Sequence, residues 1–141
     1  MTTRRGFIKS GCVACLLAAS GASLLEGCAT PLPMLKVASK SNELVVDPAS
    51  FISERGNMLV VRTSQLEHDI LLIKDGDNYR ALYLRCTHEG VDLTATKNKI
   101  YCSSHGSVFD LEGKVLKEPA LRPLKTFKTQ LNNNQIIINL T

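Results

Sequence analysis

Two short runs carry residue types suited to metal chemistry: Cys86-Thr87-His88-Glu89-Gly90 and Cys102-Ser103-Ser104-His105-Gly106. Each places one thiol and one imidazole on a glycine-closed turn, and thirteen residues separate His88 from Cys102. Thiolates suit iron–sulfur clusters, and neutral imidazole suits iron or zinc. Two such loops can clamp a two-iron, two-sulfur cluster, with Cys86 and Cys102 on one iron and His88 and His105 on the other. The same four residues admit two other readings. Tetrahedral zinc accepts two thiolates and two imidazoles, although structural zinc usually takes C-x2–4-C and H-x3–5-H spacings. A disulfide between Cys86 and Cys102 would leave both histidines without a role.

Short strands must hold these loops. Leu44-Val45-Val46 precedes the turn Asp47-Pro48, and Met58 to Arg62 is an apolar, partly β-branched run. Ile70 to Lys74 and Tyr79 to Arg85 flank Asp75-Gly76-Asp77-Asn78, a hairpin signal. Tyr79, Ala81 and Tyr83 alternate with Arg80, Leu82 and Leu84, which gives this strand two faces. It runs into Cys86, so the first loop hangs from a rigid element. Lys99-Ile100-Tyr101 enters the second loop, Val108-Phe109-Asp110 leaves it, and Glu112-Gly113 turns the chain back. Thr126 to Gln130 and Gln135 to Leu140 flank Asn132-Asn133-Asn134, a second hairpin turn. No segment carries a long helical period. The fold class is therefore all-β, a small antiparallel sandwich or barrel. His68, between Glu67 and Asp69, reads as a solvated loop histidine.

The C-x-H…C-x-x-H pattern resembles the Rieske family, in which two histidines replace two cysteines on one iron of a [2Fe–2S] centre. The likeness continues through Gly106-Ser107-Val108-Phe109-Asp110-Leu111-Glu112-Gly113 and reaches Pro119-Ala120, covering about Leu84 to Leu124. Members typically read H-G-S-x-[YF]-D-x-x-G and then a proline-containing loop that covers the cluster. The resemblance implies stacked antiparallel sheets, with the cluster at the tip of a small inserted subdomain. It implies one [2Fe–2S] cluster per chain on Cys86, His88, Cys102 and His105, with the histidines near the surface. Ser107 would donate to a bridging sulfide and so raise the potential. Phe109 stands where high-potential members carry a tyrosine, and without a hydroxyl it packs as a core residue. Val91 and Ser104 stand where those members carry a disulfide between the cluster loops. The proline loop and hydrogen bonds must then hold the loops, and a middle potential is expected within about −150 to +300 mV.

The amino-terminal run Thr3-Arg4-Arg5-Gly6-Phe7-Ile8-Lys9 resembles a twin-arginine export signal, which carries proteins across the membrane already folded. Ser10 to Leu25 is weakly apolar and shorter than the roughly 20 residues that span a bilayer, as suits a signal. Leu25-Glu26-Gly27-Cys28 resembles a lipoprotein processing site, although Glu26 departs from the small or apolar residue usual there. Diacylation of Cys28 would hold a small domain at a membrane surface; the alternatives are an uncleaved signal anchor and ordinary cleavage to a soluble protein. Residues 1–28 are thus read as a signal, 29–42 as a tether containing Thr30-Pro31-Leu32-Pro33, and 43–141 as one domain.

The chain of 141 residues carries a formal charge of +4. With Arg4, Arg5, Lys9 and Glu26 assigned to the signal, 14 basic and 12 acidic residues remain in no dense block, which argues against a nucleic-acid partner. Of five cysteines, Cys12, Cys15 and Cys28 fall in the signal and the other two in the loops, leaving no pair for a structural disulfide. No nucleophile or general base stands out. The resemblance implies a one-electron carrier at the outer face of a bacterial membrane, between a quinol-oxidising complex and a cytochrome. The alternatives are a small electron-transfer subunit of an exported, arsenite-oxidase-like oxidoreductase, and a metal-binding structural lipoprotein.

Overall fold

The computed structural model describes residues 31–39, 41–51 and 56–141. The signal read over 1–28, with Cys28, lies outside the described residues. The described chain is all-β. Its strands are β1 (Met34–Lys36), β2 (Glu43–Val46), β3 (Met58–Arg62), β4 (Ile70–Asp75), β5 (Asn78–Tyr83), β6 (Thr94–Ala95), β7 (Ile100–Tyr101), β8 (Val108–Phe109), β9 (Val115–Lys117), β10 (Thr126–Asn132) and β11 (Gln135–Asn139). A single 3-10 turn, Pro48–Ser50, is capped by the Asp47 carboxylate, which accepts from the Ala49 N–H. A seven-stranded sheet runs β1-β3-β4-β5-β10-β11-β2, and a four-stranded sheet runs β6-β7-β8-β9.

The period-two alternation of the central strands divides the interior in two. On β3, β4 and β5, Leu59, Val61, Ile70, Leu72 and Ala81 pack with Leu44, Val46, Phe127, Ile136 and Ile138. Met58, Val60, Leu71, Ile73 and Leu82 point the other way, onto Ile100, Phe109, Leu124 and both loop cysteines. This explains the unbroken apolar run Ile70–Ile73: β4 is buried on both faces. Each fully buried Leu or Ile contributes roughly 1.5–3 kcal/mol.

Both expected hairpins form. Asp75 pairs with Asn78 across Gly76 and Asp77. Asn132 pairs with Gln135 across Asn133 and Asn134, whose φ values of 46° and 58° define a type I′ turn. One expectation changes. Met34–Lys36, read as part of a tether, forms a strand that pairs in parallel with β3. The Val60 N–H donates to the Pro33 carbonyl and the Val37 N–H to the Arg62 carbonyl. Three residues are too few to show a period, and it is the exposed edge of β3 that orders them.

Candidate metal centre

The two cysteine–histidine loops are copies of one backbone design. In the first, the Gly90 N–H donates to the Cys86 carbonyl and the Cys86 N–H to the Val91 carbonyl, both at 2.8 Å. In the second, the Gly106 N–H donates to the Cys102 carbonyl at 3.0 Å and the Cys102 N–H to the Ser107 carbonyl at 2.9 Å. A glycine four residues past each cysteine closes the turn with φ of 76° and 79°, in the left-handed region that glycine enters without strain. The histidine falls two residues past the cysteine in one loop and three in the other. The first loop rises from a bridge between Arg85 and Asp92, and the second from the β7–β8 pair.

This design turns the thiols inward and the imidazoles outward. Cys86 and Cys102 are each 1% exposed, and neither forms a disulfide. The His88 and His105 side chains are 35% and 41% exposed, with ring centroids 5.3 Å apart at 86°. Burial pushes the Cys102 thiol up, but the backbone amides of His105 and Ser104, the Cys86 thiol and the Ser104 side chain outweigh it. Together they hold Cys102 below the ordinary thiol range. A lowered thiol favours the thiolate form that metal ligation requires.

A third segment ties both loops down. Ser107 is fully buried, and its hydroxyl oxygen accepts from the Ala120 N–H at 3.0 Å. Among the described residues that hydroxyl donates to no protein acceptor, so its proton stays available to a group held between the loops. The Thr87 hydroxyl donates to the Arg122 carbonyl at 2.7 Å. Leu111–Leu124 is itself anchored: the Asp110 carboxylate accepts from the Glu112 and Lys114 amides, and the Leu124 N–H donates to the Gly113 carbonyl. Phe109 is a fully buried core residue, as its missing hydroxyl suggests.

One sequence reading is overturned. His68 is buried, not solvated: its side chain is 6% exposed, with its ring edge-on to Tyr83 at 5.5 Å. Its Nδ1 lies 2.6 Å from an Asp92 carboxylate oxygen, and its buried Nε2, 3.8 Å from a Glu67 carboxylate oxygen, has no hydrogen-bond partner among the described residues. The acids on either side of it suggest exposure, but the Thr63–Asp69 connection folds back on the base of the first loop. The long-range partner, Asp92, cannot be read from local sequence. Glu89, also passed over, lies between the two histidine rings, 3.8 Å from His88 Nε2 and 3.5 Å from His105 Nδ1.

Two buried, unoxidised thiols facing two half-exposed imidazoles fit an iron–sulfur centre with a sulfur-rich inner side and a nitrogen-rich outer side. The family model described as the Rieske [2Fe-2S] domain matches residues 42–128. The chain therefore belongs to the Rieske family and is an electron-transfer protein whose cofactor is a [2Fe–2S] cluster. It is 28% identical to the cytochrome b6-f complex iron-sulfur subunit of Chlorobaculum tepidum, over 97% of this chain and 75% of that protein. Subunit 1 of the same complex from Nostoc sp. is 38% identical over 55 residues, 38% of this chain and 31% of that one. Among solved structures, the plasma membrane Rieske protein PetC3 from Synechocystis PCC 6803 superposes with a TM-score of 0.55 at 28% identity, covering 67% of this chain and 97% of that chain.

Proposed function

We propose that Cys86 and Cys102 hold one iron and His88 and His105 the other, and that the chain relays single electrons from a quinol-oxidising complex to a cytochrome. When bound, the cluster takes up and gives back one electron. The protein's own residues supply the rest. The buried cysteines keep the inner side dry, and the Ser107 hydroxyl donates toward a bridging sulfide. The exposed imidazole edges of His88 and His105 give electrons a short route out.

Similarity to cytochrome b6-f iron-sulfur subunits along nearly the whole chain is the observation that carries this reading. The twin-arginine pattern at Arg4-Arg5 and the lipoprotein-like Gly27-Cys28 support a site of action at the outer face of a bacterial membrane, with Cys28 acylated. Affinity purification of the full chain from native membranes tests the partner. Recovery of a b-type cytochrome supports the proposal. Recovery of a large molybdenum-containing subunit instead places the chain in an exported oxidoreductase. Fractionation tests the location: Arg4→Lys with Arg5→Lys should hold the protein in the cytoplasm, and Cys28→Ala should release it from the membrane.

A further inference from the structure

Glu89 is the acidic residue that approaches both histidine rings. Its side chain is 54% exposed, on the apex of the first loop, with one carboxylate oxygen toward each ring at 3.8 and 3.5 Å. Both distances exceed a hydrogen bond, so the contact acts through charge. The turn that carries Glu89 is pinned on both sides of it, by the Thr87–Arg122 hydrogen bond and by the Gly90 amide on the Cys86 carbonyl. The backbone beneath the carboxylate is therefore fixed beside the rings. The Arg62–Asp69 and Lys114–Glu112 pairs neutralise other acids of the described surface, and no lysine or arginine among the described residues pairs with Glu89.

We infer that Glu89 sets the reduction potential of this centre, holding it lower than the loops alone would give. Reduction adds one electron to the cluster between the loops. A fixed negative charge beside the imidazoles raises the energy of that added charge. This effect acts against the Ser107 hydroxyl, which favours the reduced state. The centre is thus set by two opposed groups, one buried on the thiol side and one exposed on the imidazole side. The inference rests on the cluster and its ligands, and is independent of which partners the chain serves.

The test is voltammetry of the purified, cluster-loaded protein at fixed pH and low ionic strength, with wild type, Glu89→Gln, Glu89→Lys and Glu43→Gln compared. Glu43 is an exposed acid on β2, in the other half of the fold. Electron paramagnetic resonance on the same samples checks that the cluster is intact. Glu89→Gln should raise the midpoint potential, and Glu89→Lys should raise it about twice as far. Both shifts should shrink as salt screens the charge, and Glu43→Gln should leave the potential in place. An unchanged or lowered potential in the Glu89 variants would overturn the inference. So would loss of the cluster from both, because Glu89 would then be a residue of assembly.

Discussion

The two halves of the interior are built from the same strands yet depend on different things. On one face of β3–β4–β5 the core is closed by Leu44, Val46, Ile136 and Ile138, all fully buried and all aliphatic. On the other face the core includes Cys86 and Cys102, and its far wall is a sheet whose strands are two or three residues long. Strands that short bury little and pair weakly. The first half is complete on apolar burial alone. The second half is closed by the two cysteine–histidine loops, and a cofactor held between them would couple its binding to local folding there.

Removing the cofactor is the strongest way to test that contrast. Cys102→Ser should abolish the cluster's spectrum. Amides of β6–β9 should then exchange rapidly with solvent, while β4, β10 and β11 stay protected. Hydrogen exchange by mass spectrometry reads both halves at once. Equal loss of protection in both would break the distinction. Next in size, Leu72→Ala or Ile138→Ala should destabilise the domain by about 2–5 kcal/mol in chemical denaturation, because each empties a fully buried site. Neither should move the midpoint potential, since both lie in the aliphatic half.

Ser107→Ala should act on both properties. It leaves the buried Ala120 N–H without its acceptor, a loss of about 1–3 kcal/mol, and it removes a donor that favours the reduced cluster. The midpoint potential should fall. Thr87→Val should cost about 0.5–1.5 kcal/mol through the lost bond to Arg122, with a faster release of iron to a chelator as its readout.

The same contrast explains what the sequence made legible. The two cysteine–histidine loops are dense in unusual residues, so Cys86, His88, Cys102, His105 and Ser107 could be singled out, and the structure brings all five to one end of the fold. Longer strands could be read too, from alternation in Tyr79–Leu84 and from an unbroken apolar run in Met58–Arg62, which falls where the sequence puts it. β6 and β9 could not, because strands of two and three residues carry no period and exist through their neighbours. β1 is ordered by the edge of β3, a partner more than twenty residues away. The burial of His68 could not be read, because it comes from Asp92 and Tyr83, which are distant in sequence. Glu89 was legible in principle, as an acid adjacent to a ligand histidine, but its approach to the second ring depends on how the two loops face each other.

The most direct test of the account is low-temperature electron paramagnetic resonance of the dithionite-reduced protein from Ala29 onward, with iron and zinc assayed on the same sample. A [2Fe–2S] centre of this family gives an anisotropic signal of low average g and two irons per chain. A silent spectrum with one zinc per chain would contradict it.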